Sequence, residues 1–549
     1  MTLMKSILLG SAAAIVAVAG AQAADLPTRK AAPVEQYVKI CNVGGITGWT
    51  LPGSDTCVKL SGYITAQFEG GNLSTQYNQG GYASVYNAYV GGGGSDPTTL
   101  ARLISGLTAS GGSISGGVAS GGLSSQRVLI AGSDSQKNST FYRNATGWTT
   151  RANFGFDFAS NTAYGPLIGH LDLNAENANG FDPISGYTYL NEGYLTWAGI
   201  TAGKAPSFYS FTGGGDNWAN IFSPDQKGFN QPNLLAYTAS FGGGFSATIA
   251  AQSPGCNGGG SAGACSPGAS GGGTQFAPPG ATYGGQRWPD IVGQLHVTQG
   301  WGEAQLSGVL HDVNVAYSGY QGASGIGGCG VTGVALVNCN ASQTKTGWGV
   351  DAGVKFNLPS FGAGDDILVT GSYTRNAVWY SGLPDGMWGE NGQVNGNGQA
   401  MAMYDTWFNP LTNQWSSPTA WSVTAILEHH FTPQFYVDLE GSVGGLKWSN
   451  QGGGCYLLGF GCGIAQAVQG GLSPSATSWI IGADIGWNPV TNLNFDLELM
   501  YQDTNQTKPS GFLGTVYNVG GVGGAVFAPG AWEGNSSGFA GRIRITRYF

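Results

Sequence analysis

The chain has 549 residues, of which 97 are glycine, 12% are aromatic and only 9% are charged. Disordered chains show the reverse balance of charge and aromatics, and these glycines lack the three-residue period of collagen. A net charge of −9 excludes nucleic acid as a partner, because such binders carry a basic footprint.

In chain order, residues 1–23 read as a secretory signal peptide. Lys5 supplies the positive start, Ile7 to Val18 the apolar stretch, and Ala21-Gln22-Ala23 the small-residue cleavage site. The apolar run falls short of the ~20 residues a spanning helix needs. No later segment approaches that length, so residence in a membrane requires a closed barrel. Residues 24–56 are polar and proline-containing, and read as an irregular N-terminal periplasmic segment ahead of a barrel over 57–549.

Strict alternation begins at Cys57. Val58, Leu60, Gly62, Ile64, Ala66 and Phe68 share one face, while Lys59, Ser61, Tyr63, Thr65 and Gln67 share the other. Successive strand side chains point to opposite faces, so this segment has one apolar and one polar wall. A Gly/Ser-rich stretch over 70–146 reads as a long first loop or insertion. The alternation then recurs near 147–158, 164–175, 187–198, 199–206, 233–241, 244–252, 288–299, 301–313, 346–357, 366–378, 420–430, 434–446, 477–488, 492–503 and 538–549. Around 187–206 it slips by a residue. With 57–69 these make about sixteen strands, an even count that suits an antiparallel up-and-down barrel. Short links alternate with long ones, as in a transmembrane barrel with short periplasmic turns and long external loops.

The aromatic residues indicate which face is outside. Trp148, Trp348, Trp421, Trp479 and Phe539 open five strands on the apolar face. Phe158, Phe356, Phe431, Trp487 and Phe549 follow eight or ten residues later on the same face. At ~3.3 Å per residue and ~40° tilt these rows stand roughly 20–25 Å apart, close to the ~25 Å apolar band and its two aromatic girdles. An aromatic core stripe would show no preference for strand ends.

The eight cysteines fall as sequence neighbours: Cys41 and Cys57, Cys256 and Cys265, Cys329 and Cys339, Cys455 and Cys462. Local disulfides in an oxidising compartment are expected. Metal binding is not, because no CxxC spacing occurs and no histidine lies near.

Several of these residues carry a family resemblance: Ala24-Asp25-Leu26-Pro27, Cys57-Val58-Lys59-Leu60-Ser61-Gly62-Tyr63, Trp288-Pro289-Asp290-Ile291-Val292, Trp301-Gly302-Glu303-Ala304-Gln305-Leu306-Ser307-Gly308 and the terminal Arg547-Tyr548-Phe549. The chain resembles the alphaproteobacterial (rhizobial-type) outer-membrane porin family over most of its length from Ala24. Two departures stand out: the 70–146 stretch is longer than the family's first loop, and Arg547 sits where a hydrophobic residue belongs. The resemblance implies a sixteen-stranded barrel in the bacterial outer membrane, usually a homotrimer, passing small hydrophilic solutes and ions without a cofactor. It implies that the terminal Phe549 is presented to the barrel assembly machinery. It also implies a third loop folded inward, here 207–232 with Asp216, Asp225 and Lys227, to narrow the pore.

With lipid outside, the polar face lines water. Arg542 and Arg544 then lie beside the wall bearing Lys59 and Arg151. Asp438, Glu440, Asp484, Asp496 and Glu498 are expected across the lumen, giving opposed walls of opposite sign. Counting inward residues, acids (these five with Asp157, Asp172, Glu192, Glu303, Asp351 and Glu428) outnumber bases (Lys59, Arg151, Lys204, Lys355, Arg542 and Arg544), so a weak preference for cations is expected. A substrate-selective channel is one alternative, but Tyr63 and Tyr436 are too few for an aromatic slide. A barrel that binds or adheres through its long loops is another. An enzyme is not expected: only His170, His296, His311, His429 and His430 could serve as a histidine base, and none has a convincing serine and acid around it.

Overall fold

The computed structural model describes residues 39–71, 145–180, 187–212, 231–253, 281–283, 287–317, 341–383, 405–409, 414–449, 475–506, 515–519, 524–528 and 535–549. Sixteen strands form the wall: β1 Cys57–Gly71, β2 Thr146–Thr162, β3 Gly165–Asn179, β4 Tyr187–Trp197, β5 Ile200–Lys204, β6 Asn233–Gly242, β7 Phe245–Gln252, β8 Asp290–Gln299, β9 Gly302–Tyr317, β10 Ala341–Asn357, β11 Asp366–Arg375, β12 Pro418–Thr432, β13 Phe435–Trp448, β14 Ala476–Val490, β15 Leu493–Gln506 and β16 Asn535–Tyr548. Each is antiparallel to the next, and β16 returns to pair with β1 from Ala540↔Gly71 to Tyr548↔Tyr63. Closure leaves no open sheet edge, the condition for putting strands in lipid.

The wall is inverted relative to a soluble barrel. Along β12, Trp421, Val423 and Leu427 are exposed while Ser422 and Thr424 are buried. Along β10, Trp348 and Val350 are exposed while Asp351 is buried. All ten aromatics expected at the girdles lie on the exposed face.

The slip near 187–206 is a β-bulge. Asp172 pairs with Glu192 but Leu173 pairs with Leu190, leaving Asn191 without an opposite number. Lys204 Nζ donates to the carbonyls of Leu190 (2.9 Å) and Asn191 (2.7 Å), satisfying groups the bulge removes from the ladder.

Residues 24–56 are not irregular throughout. Ile40–Val43 and Ile46–Thr50 form a hairpin, turned by Gly44 (φ 59°) and Gly45 (φ 86°), the doubly positive conformation that a two-residue hairpin loop favours. Its second strand pairs with β1 through Trp49↔Val58 and Thr50↔Cys57. This is the edge of β1 that β16 does not occupy, since β16 pairs with Tyr63–Gly71 and Phe549 is hydrogen-bonded to Gly62. Cys41 and Cys57 are joined by a disulfide, and Val43, Cys57 and Ala159 form a small core beside it. The other three cysteine pairs lie outside the described residues.

Candidate functional site: the barrel lumen

Strand register assembles the polar face. In antiparallel sheets, opposite residues point to the same side at about 4.5–5.5 Å. One ring of such partners runs Glu428↔Asp438↔Asp484↔Glu498↔Arg542↔Glu69 across β12, β13, β14, β15, β16 and β1. One layer away, Asp496 stands opposite Arg544, which stands opposite Gln67. This corrects the expectation of opposed walls. Asp496 and Glu498 are immediate neighbours of the arginines, because β15 is hydrogen-bonded to β16.

Among the described residues, Arg151, Arg542 and Arg544 each have a polar partner beside them, and two of these, Glu176 and Glu69, are absent from the inward tally. Arg151 contacts Glu176. Arg542 lies 3.6 Å from Glu69 and 3.9 Å from Glu498. Arg544 donates to Gln67 Oε1 from Nε (3.0 Å) and from its terminal nitrogen (2.8 Å). Glu176 escaped the inward tally because β3 runs past the end that alternation suggested, to Asn179, whereas Glu69 lies within 57–69 on the same face as Gln67 and was left uncounted. Lys59 stands opposite Asp157, Lys355 pairs with Asp366 at 3.0 Å, and Lys204 is committed to the bulge. Glu440 is buried on the same polar face, opposite Gly482 and Ile426. Asp216, Asp225 and Lys227 lie outside the described residues.

The start of the third loop, 205–212, lies against this polar face, which identifies it as the interior. The loop leaves β5, yet Tyr209 reaches β9 and β11. Its carbonyl accepts hydrogen bonds from Ser307 Oγ (2.6 Å) and Gln305 Nε2 (3.1 Å), and its hydroxyl bonds Ser372 Oγ at 2.8 Å. Beneath it the inner wall is apolar: Leu234, Ala236, Ala250, Val292 and Val309 pack with Tyr209. On β10, Gly349 and Gly353 supply the space. A Cβ at Gly349 would meet the Tyr209 hydroxyl at 2.9 Å, and one at Gly353 would run into the Phe211 ring.

A second segment, 376–383, also folds inward, and the sequence reading had no place for it. It contains the short 3-10 helix Val378–Ser381. Ser372 Oγ on β11 donates to the carbonyl of Tyr380 (2.8 Å), and Ser422 Oγ on β12 donates to that of Ser381 (2.6 Å). The Tyr380 hydroxyl donates to Asp290 (2.5 Å) and accepts from Gln252 Nε2 (3.0 Å). Asp290 accepts from His311 Nδ1 at 2.9 Å, and His311 Nε2 faces Asp405 at 3.3 Å. Asp405 accepts the Val378 N–H (2.7 Å), while Asn376 Nδ2 donates to the Asp405 carbonyl (2.7 Å). Burial pushes the Tyr209 phenol well above its ordinary range, with the Asp351 charge adding to it. It does the same to Tyr380, where Asp290 adds to it. Burial also raises the Asp405 carboxyl, against the pull of His311. These side chains form one hydrogen-bonded network between the two inward segments and the wall. Among the described residues, no group of His, Cys, Asp and Glu is arranged to hold a metal ion.

A closed antiparallel barrel with an apolar exterior, a polar interior and segments folded into that interior defines a membrane-spanning channel. Residues 25–102 and 120–522 match the family described as "Porin subfamily", and the chain belongs to that family of outer-membrane channels for passive diffusion. The porin Omp2b of Brucella neotomae is 26% identical over 371 residues, covering 64% of this chain and 80% of that protein. Porin Omp2a of Brucella ovis is 27% identical over 255 residues, 46% of this chain and 60% of that one. Against Omp2b of Brucella suis the chain spans 65% of the relative's length. Among solved structures, the outer-membrane channel DcaP of Acinetobacter baumannii matches 91% of this chain and 99% of its own at 10% identity and a TM-score of 0.51, a likeness of fold.

Proposed function

We propose that this porin conducts small hydrophilic solutes and ions through a lumen with a weak preference for cations. The pairing of its arginines carries this reading. Arg151 and Arg542 each lie beside a carboxylate, and Arg544 faces Asp496 across the ladder, so the basic residues are locally offset. Asp438, Glu440 and Asp484 then leave the lumen net negative, and charged rings of this kind bias ion passage. Asp216 and Asp225, with Lys227 offsetting one of them, tilt the inward third loop the same way.

The remaining assignments follow the same architecture. The exposed aromatics Trp148, Phe158, Trp348, Phe356, Trp421, Phe431, Trp479, Trp487, Phe539 and Phe549 seat the barrel in outer-membrane lipid. Phe549 addresses the assembly machinery, the mature chain starts at Ala24, and three copies associate. The five histidines serve the wall, not catalysis, each facing a carboxylate: His170 with Asp157, His296 with Glu303, His311 with Asp290, and His429 and His430 with Asp365.

The decisive experiment is the reversal potential of the purified protein in a planar bilayer under a KCl gradient. Cation preference is expected, and Asp216→Asn with Asp225→Asn should shrink it. Anion preference in the unmodified protein would show that the arginines around Arg151 and Arg542 govern the narrowest point instead.

A further inference from the structure

We propose that segment 376–383 is a second inward element that narrows the pore together with residues 205–212 at the start of the third loop, and that Asp405 is the positioning residue that holds it there. The proposal rests on the reading of this chain as a water-filled pore.

The segment is in the lumen because its carbonyls are held from the inner faces of two wall strands, by Ser372 and Ser422. Its side chains are buried there: Tyr380 is 1% and Leu383 0% exposed. Gly382, at φ 77°, occupies the left-handed conformation that caps the helical turn and redirects the chain.

What fixes it is not the barrel's own ladder. Asp405 takes up the Val378 N–H at the first turn of the helix and offers its carbonyl to Asn376. Its second carboxylate oxygen faces His311 on β9, whose other nitrogen holds Asp290 on β8, and Asp290 in turn receives the Tyr380 hydroxyl. The segment is therefore fastened at both ends, to a residue of its own connection and to two wall strands. His311 thus stands between the two carboxylates, 2.9 Å from Asp290 and 3.3 Å from Asp405.

The two inward segments brace each other. The rings of Tyr209 and Tyr380 meet edge to face at 4.9 Å, and Ser372 receives the Tyr209 hydroxyl while donating to the Tyr380 carbonyl. Ser207 on the third loop and Tyr380 share Gln252. Freeing 376–383 removes a wall of the constriction and loosens the other.

The test uses the full-length protein in planar bilayers, with heat-modifiable migration in gels as the check on folding. Asp405→Ala leaves the buried Val378 N–H without its acceptor, a loss that proteins tolerate poorly. It should raise single-channel conductance by roughly 1.5-fold or more, since ion flow follows the open constriction, and add open-channel noise. Asp405→Asn keeps an acceptor oxygen and should return conductance towards that of the unmodified protein, which a general loss of barrel stability would not predict. A folded Asp405→Ala barrel with unchanged conductance and noise would overturn the proposal. If Asp405→Ala fails to fold, Tyr380→Phe decides: it keeps the ring packing and removes only the bond to Asp290 and the acceptor for Gln252. A rise in conductance or noise supports the latch, and unmodified behaviour refutes it. Absence of channels from the unmodified protein would instead sink the pore reading itself.

Discussion

Single residues decide where the lumen is open and where it is covered. Gly353 faces inward on β10 with Phe211 lying over it, so Gly353→Val must displace the third-loop anchor. Overpacking of this kind costs about 1–3 kcal/mol. The unfolding midpoint should fall for Gly353→Val and hold for Ala352→Val, whose side chain is on the exposed face. A second residue-scale test is Asp365, in the turn between β10 and β11. It accepts the His430 backbone N–H (2.8 Å) and bonds the His429 ring (2.5 Å), and these hold its carboxyl below the ordinary aspartate range, the His430 N–H contributing most. A depressed carboxyl stabilises fully above its unfolded value, about pH 3.9, and loses that contribution as pH falls through the folded value. The melting gap between the unmodified protein and Asp365→Asn should therefore be present at pH 7 and close in acid. A gap that widened below pH 4 would contradict the assignment. Lone glycines at alternate positions of β10 were visible in the sequence. Their meaning was not, because what lies over them comes from a distant part of the chain.

Strands were the most legible part of the chain. Alternation locates all sixteen because each strand meets lipid on one side and water on the other, the strongest patterning a strand can carry. It fails where that contrast fails. The hairpin at Ile40–Thr50 is too short to show a period, and the ends of β1 and β3 pass into segments where glycine and asparagine interrupt it. Inward apolar residues such as Val292 and Val309 also break the contrast, since the third loop covers them. The strand phase can be tested by cysteine labelling in intact membranes. Arg151 and Gln305 positions should react with water-soluble reagent and Phe154 and Leu306 positions should not, burial beneath Tyr209 slowing Gln305. The reverse pattern would refute the phase. The hairpin gives a second test. Its disulfide spans a sequence separation of 16, and closing a loop of that size is worth about 3 kcal/mol in the chain-entropy model. Cys41→Ser should open the hairpin to proteases while the barrel remains resistant, as limited digestion would show. Peptide mapping without reduction should also recover Cys256–Cys265, Cys329–Cys339 and Cys455–Cys462, and a bond between Cys256 and Cys455 would refute that scheme.

At the scale of the whole molecule, selectivity is a sum over the lumen, and salt should weaken it. The Debye length is ~8 Å at 0.15 M and ~3 Å at 1 M, so wall charges reach the pore axis in the first case and not in the second. The cation preference should shrink steadily between these concentrations. A preference independent of salt would point to direct ion binding at a narrow site. The identities of the inward charges were legible from the sequence, but their cancellation was not. Pairing depends on register between strands such as β16 and β1, whose partners Thr546 and Thr65 are 481 residues apart, and no local pattern encodes it.

The way Phe549 and the hairpin strand share one edge of β1 also limits how this protein can be handled. Phe549 stops beside Gly62, and a short way further along β1 the hairpin strand begins at Val58. An affinity tag fused after Phe549 would have to leave the sheet at once or compete with Trp49 and Thr50 for that edge. Fusions at the carboxyl end should therefore reduce the yield of inserted protein unless a flexible spacer carries them clear, and an epitope placed in one of the long connections should not.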